Sequence, residues 1–240
     1  MILRSAALTD IGRVRRQNED RFLRNETLRL FGVADGVGGL PGGALAARTA
    51  VEQLEAALEQ HRPQQAQDLV PVVREINGNI SAIGTNISPG VGIGTTLTFG
   101  VVVEDKLLLA HVGDSRCYRL SNGRLHLLTE DHSVENEARH RRERGELVDF
   151  AERYRNALTR CIGQPAELQV DTSEYVLAPD DVILFASDGI TRVLEDAELE
   201  QLVGGNDALE ERLSRLIDRV NERGGPDNAT AVLVQVATGS

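Results

Sequence analysis

Residues 95–112 read TTLTFGVVVEDKLLLAHV, two apolar runs on either side of the polar pair Glu104-Asp105. Thr95–Val103 and Lys106–Val112 are rich in β-branched and aliphatic side chains, which predicts a β-hairpin. The pattern repeats immediately downstream. Ser115–Leu120, the turn Ser121-Asn122-Gly123-Arg124 and Leu125–Leu128 predict a second hairpin, because Asn-Gly accepts the left-handed backbone of a tight turn. Further strands are predicted at Leu30–Ala34, Val170–Val176, Val182–Ala186 and Ala229–Val236. Helices are expected over 42–60, where Leu45, Val51, Leu54 and Leu58 recur at helical spacing, from Ala66 to Ile83, and at about 196–203 and 207–222. The charged segment 133–160 also reads as mostly helical. Strands that come in hairpins and helices that come in pairs indicate antiparallel sheets covered by helices, an α+β layered fold, and not a βαβ repeat.

The chain has 240 residues and no internal repeat or Pro/Ser-rich linker, so a single domain over 1–240 is expected. Its 26 basic and 37 acidic side chains leave a net charge of −11, which argues against non-specific nucleic-acid binding. No apolar run approaches the ~20 residues of a membrane helix. The first ten residues carry Arg4 and Asp10 and have no h-region, so they are not read as a secretory signal. Cys117 and Cys161 lie far apart without metal-ligand spacing, consistent with reduced thiols and a cytoplasmic location.

Acidic residues gather where strands end. Leu30–Ala34 runs into Asp35-Gly36-Val37-Gly38-Gly39, Leu107–Val112 into Gly113-Asp114-Ser115-Arg116, and Val182–Ala186 into Ser187-Asp188-Gly189. Gly224-Gly225-Pro226-Asp227-Asn228 leads into the last strand, and Asn18-Glu19-Asp20 precedes Phe22. A carboxylate at a strand end sits on rigid backbone yet reaches open space, and an adjacent glycine lets an ion approach closely. Oxygen-only donors select hard cations such as Mg²⁺ or Mn²⁺, and a shared cation keeps crowded carboxylates charged. A single Asp-Gly is an ordinary turn; five acidic clusters without a Cys/His set point to metal.

These stretches resemble the metal-dependent protein phosphatases of type 2C, in their small stand-alone bacterial form. The resemblance is carried by Arg15 with Asn18-Glu19-Asp20, Val33–Gly39, Gly94-Thr95-Thr96-Leu97, His111–Arg116, Asp131-His132-Ser133, Ala186–Gly189 and Gly225–Thr230. The motifs stand in the family order from about residue 5 to 237. The resemblance implies an α-β-β-α sandwich, with two central antiparallel sheets flanked by helix pairs and metals at one end. It implies a Ser/Thr phosphoprotein phosphatase in which metal-activated water attacks phosphorus directly, with two tightly bound Mn²⁺ or Mg²⁺ ions and a third, weaker one. Residue by residue, Asp35 would bridge two ions, the Gly36 carbonyl would bind one, and Asp188 and Asp227 would complete the set. Asp20 would hold water or lie at the second ion, with Glu19 a weaker candidate. Asp114 would serve the third ion, and Arg15 would grip the substrate phosphate.

The resemblance further implies phosphorylated Ser/Thr proteins as partners, a Ser/Thr kinase to oppose, a monomeric state, a possible place in secretion-system control, and a flap over about 133–160 that affects substrate choice. This chain departs from the family pattern at Val37 and Leu40, aliphatic residues where members carry a histidine. The leaving oxygen's proton would then come from water held by Asp20 or Asp114, or from His132 or His140. Thr95, Thr96, Asn228 and Thr230 read as strand and turn support, and Arg116 as the partner of a carboxylate. A catalytically silent binding module and a hydrolase of small phosphate esters are the rival classes; the presence of Asp20, Asp35, Asp188 and Asp227 speaks against the first.

Overall fold

The computed structural model describes residues 1–38 and 42–237; Gly39 and Leu40 of the glycine loop lie outside the described residues. Ten strands form two five-stranded antiparallel sheets. In the first sheet, β1 (Ile2–Asp10) pairs with β10 (Ala229–Ala237), followed by β9 (Val182–Ala186), β6 (Arg116–Ser121) and β7 (Arg124–Leu127). In the second, β2 (Arg21–Asn25) is followed by β3 (Leu30–Ala34), β4 (Leu97–Val103), β5 (Lys106–Val112) and β8 (Asp171–Val176).

Side chains alternate across each strand, and in β3, β4, β5, β9 and β10 both faces are buried, which explains the unbroken apolar runs. Phe31, Val33, Leu107, Leu109, Ile183, Phe185, Val232 and Val234 fill the layer between the sheets. Their sequence neighbours Leu30, Ala34, Leu108 and Ala110 pack outward against α1 (Gly43–Gln60) and α2 (Leu69–Ile87). On the other side Leu184, Ala186, Ala231 and Leu233 pack against α5 (Asp196–Val203) and α6 (Leu209–Glu222). Each fully buried Leu or Phe contributes roughly 1.5–3 kcal/mol. The helices dock through one stripe each, such as Leu209, Leu213, Leu216, Ile217 and Val220 of α6. The layers are therefore α-β-β-α, as the sequence implies.

Two features differ from the sequence reading. Strands β1 and β2 have no predicted counterpart, because their alternation is diluted by Ser5, Ala6, Ala7, Arg21 and Arg24 and their pairing is non-local, Ile2 with Ala237 for instance. The segment 133–160 is not mostly helical. After α3 (Val134–Glu143), capped by Ser133 Oγ accepting from Asn136 N at 3.3 Å, the chain turns at Gly145 with φ 84°. It then runs irregularly apart from a 3₁₀ turn at Glu152–Tyr154. Only Ala138 of α3 is buried, so no apolar stripe exists that would carry a longer helix.

Candidate active site and metal centre

Antiparallel pairing sets the start of one strand beside the end of its neighbour, and this assembles the acidic residues. Arg21 pairs with Ala34, so Asp20 before β2 lies beside Asp35 after β3. Ala231 pairs with Ala186, which brings Asp227 toward Ser187-Asp188. At Gly113–Ser115 the chain passes from one sheet to the other, and the pairing of Arg116 with Ala186 sets Asp114 beside Asp188. A cavity of about 530 Å³ opens at this end, lined by Arg15, Glu19, Asp35, Gly36, Asp114 and Asp188, with Asp227 at its edge.

The backbone under Asp35 is clamped. Thr96 Oγ1 accepts from Asp35 N at 2.9 Å, while Thr95 Oγ1 and Thr96 N donate to Asp35 O at 2.9 and 2.8 Å. Thr95 and Thr96 thus position the central carboxylate as well as pack the strand. Gly36 is required by space: a Cβ there would meet Gly43 O at 2.6 Å and Glu19 O at 2.9 Å. Gly189 is tighter still, its Cβ position 1.9 Å from Asn228 O, which lets the Asp188 turn pack directly on the Asp227 loop. Asn228 ties that loop to residues 11–19: its Oδ1 accepts from Glu19 N at 2.9 Å and its Nδ2 donates to Ile11 O and Gln17 O at 2.9 and 3.0 Å.

Asp20 is buried beneath the cavity, with Ser187 Oγ donating to its Oδ2 at 2.8 Å and no partner for its Oδ1. Burial, with the charge of Asp188 adding, pushes the Asp20 carboxyl up to about 6. Asp35 is raised well above the usual range by desolvation and then by Asp20, Asp188 and Asp114. Asp114 is raised to about 7 by burial and Asp188, partly offset by Arg192. These are carboxylates crowded beyond what their protein neighbours neutralise. Two guanidiniums face them: Arg15 Nη2 donates to Asp227 Oδ2 at 2.6 Å, and Arg192 contacts Asp114 Oδ2 at 2.6 Å and Asp188 Oδ2 at 2.7 Å. Turned this way, no three Asp, Glu, His or Cys side chains among the described residues close on a single point. The donor set nonetheless fits a hard cation: oxygen-only, over-acidic, and with one buried carboxylate oxygen that nothing in the protein satisfies.

The structure brings together Arg15, Glu19, Asp20, Asp35, Gly36, Asp114, Asp188 and Asp227. It does not bring His132 or His140 to them; both line a second cavity of about 470 Å³ with Glu130, Arg160 and Asp171. His132 braces the loop before Asp114, its Nδ1 accepting from Gly113 N at 3.1 Å. No histidine lines the candidate cavity among the described residues. Arg116 pairs with Asp131 through two hydrogen bonds of 2.9 and 2.8 Å, not with Asp114. The residues that sequence reasoning missed are Ser187, which holds Asp20, and Arg192, whose only signal is its i+4 spacing from Asp188.

The family model described as Protein phosphatase 2C matches residues 13–236. The serine/threonine phosphatase Stp of Listeria innocua is 32% identical over 235 residues, covering 95% of this chain and 93% of that protein. Among solved structures, the PstP catalytic domain in complex with two manganese ions superposes with a TM-score of 0.82 at 30% identity over 98% of this chain and 99% of that one. PppA, described as a regulatory component of the type VI secretion system of Pseudomonas aeruginosa, superposes with a TM-score of 0.83 at 27% identity over 98% of both chains. With the sandwich and its acidic end in place, the chain belongs to the protein phosphatase 2C family. It is a metal-dependent serine/threonine phosphatase.

Proposed function

We propose that residues 1–240 form one catalytic domain that hydrolyses phosphoserine and phosphothreonine on proteins with a pair of Mn²⁺ or Mg²⁺ ions. Asp35, the Gly36 carbonyl, Asp188 and Asp227 would hold the pair, and Asp20 would support it from below. The observation that carries this reading is the crowding of Asp20, Asp35, Asp114 and Asp188, with Asp20 Oδ1 buried and unpartnered. When bound, such ions acidify water and stabilise charge developing on a phosphoryl group. The chain's own residues do the rest. Thr95 and Thr96 fix the Asp35 backbone, so little reorganisation accompanies binding. Arg15, 39% exposed and paired only with Asp227, exchanges that carboxylate for the substrate phosphate, whose oxygens match its two-pronged donor geometry.

The proposed flap, 133–160, folds back through Val134 N to Ala157 O at 2.9 Å and so sets Asn156, Ala157 and Leu158 in the cavity wall, where they would meet the residues around a phosphorylated side chain. No helix among the described residues is long and apolar enough to cross a membrane. A monomer in the cytoplasm, opposing a Ser/Thr kinase, accords with these features, and the likeness to PppA supports secretion-system control as one setting. The test is metal removal. Protein stripped with chelator should lose hydrolysis of a phosphothreonine peptide and regain it with Mn²⁺, whereas full activity after verified stripping would overturn the reading. Faster turnover of a small aryl phosphate than of every phosphopeptide tried would favour the ester hydrolase instead.

A further inference from the structure

Arg192 directly follows the short turn of helix Asp188–Thr191 as its C-cap, and both prongs of its guanidinium are engaged. Nη1 lies 2.7 Å from Asp188 Oδ2 and Nη2 lies 2.6 Å from Asp114 Oδ2. The two carboxylates are 13% and 8% exposed and the Arg192 side chain 41%, so water reaches the pair from the arginine side while the carboxylates are shielded. Arg192 itself forms part of the wall between the main cavity and a neighbouring one of about 340 Å³, both of which reach Asp114 and Asp188. The other arginines of these two cavities are committed elsewhere, Arg116 to Asp131, Arg155 to Glu135 and Arg15 to Asp227. Arg192 is thus the one cation in contact with the Asp114–Asp188 pair among the described residues.

An arginine keeps its charge at any pH at which the protein is folded. A tether four residues long also holds it in place without the loss of translational freedom that a free ion suffers on binding. A dication would have to displace the guanidinium from two carboxylate oxygens at once or sit beside a fixed positive charge.

We propose that Arg192 is the built-in cation of the Asp114–Asp188 pair and takes the place of a third metal ion, so that Asp114 positions an arginine and is not a metal ligand. This rests on the two-ion reading above, and the experiment separates the two.

Metal-free protein is titrated with Mn²⁺ by calorimetry, with free Mn²⁺ counted by electron paramagnetic resonance. Wild type should bind two ions, and Asp114→Ala should also bind two. Arg192→Met, which keeps the length and removes the charge, should bind a third ion that wild type does not take up even at a Mn²⁺ concentration about tenfold higher. That gain should vanish in the Arg192→Met/Asp114→Ala double variant. Arg192→Gln serves as a second neutral variant should Arg192→Met melt early. A third ion in wild type that disappears in Asp114→Ala would overturn the proposal while leaving the metal pair intact, as would two ions in both neutral variants. Fewer than two ions in wild type would remove the metal pair itself, and this proposal with it.

Discussion

The two largest polar cavities beside the flap segment hold similar residues and treat them oppositely. In the one lined by Glu130, Asp131, His132, His140, Arg160 and Asp171, each of those carboxylates is met by a guanidinium or an imidazole. Asp131 has Arg116, Asp171 has Arg160 at 2.8 Å and His132 at 3.1 Å, and Glu130 has His140 at 2.5 Å. The hydrogen bond from His132, helped by Arg160, holds the Asp171 carboxyl down at about 2. At the other cavity, Asp20 beneath it and Asp114 in its wall are pushed up to about 6 and 7 by burial and the charge of Asp188, Asp114 in spite of Arg192. Acidic residues in a cleft therefore do not define a metal site. Negative charge that is buried, held on strand ends and in excess of the guanidiniums facing it is what fits a hard cation.

The most severe way to test that contrast is Asp35→Ala. It removes the carboxylate at the centre of the crowded group, and with it several kcal/mol of charge stabilisation that the proposed metal pair would supply, so kcat should fall on the order of 1,000-fold. Retention of even a tenth of wild-type kcat at saturating Mn²⁺ would deny Asp35 its central role.

Next in size is an acid effect seated beside the paired cavity. His111 is buried between Thr98 Oγ1 at 2.8 Å and Glu130 O at 2.9 Å, and burial, then His132, lowers its pKa to about 4. The unfolded chain takes up that proton near pH 6.5, the folded one only near 4. The neutral ring's contribution is therefore complete above pH 6.5 and lost as pH falls toward 4, by about 3 kcal/mol. Asp20 and Asp114 work in the opposite direction, since their raised pKa values favour the folded protein as they protonate. The difference between wild type and His111→Gln isolates the imidazole, because both proteins share those carboxylates. Urea midpoints compared at pH 7, 5.5 and 4.5 should converge on acidification; parallel curves would count against the assignment.

A smaller effect is expected at Arg15. A charge-assisted hydrogen bond contributes about 1.5–3 kcal/mol, so Arg15→Ala should raise KM about 10–100-fold with Mn²⁺ stoichiometry unchanged. Arg13→Ala and Arg16→Ala are the controls; if all three behave alike, Arg15 is only part of a solvated basic stretch. The smallest effect belongs to the paired cavity. Glu130→Gln removes half-exposed pairs with His140 and Arg139, which are weak in water, so turnover should stay within about twofold. A large loss of turnover there would mean that the second cavity takes part in the reaction.

Apolar runs with turn residues between them were enough to read eight of the ten strands among the described residues, the four helices that flank the sheets and the layered class, because burial on both faces leaves a signal in every residue of a central strand. The same runs located Asp35, Asp114 and Asp188, each placed where an apolar stretch stops, and Asp227, just before one begins. Local pattern carries no record of partners, however. Strand β1, whose side chains are half exposed, becomes a strand only by pairing with β10 more than two hundred residues away. The clamp of Thr95 and Thr96 on Asp35, the hydroxyl of Ser187 on Asp20 and the fork of Arg192 across Asp114 and Asp188 all join residues from different strands or loops. His132 lies in a motif that the sequence connects with the site, and the fold turns it into a brace behind Gly113. Sequence by itself determined which residues are candidates for the chemistry, since residue type and the ends of apolar runs are local properties. Which of those carboxylates stand uncompensated, and which are answered by an arginine or a histidine, was decided by the tertiary structure alone, because charge balance is a sum over neighbours in space.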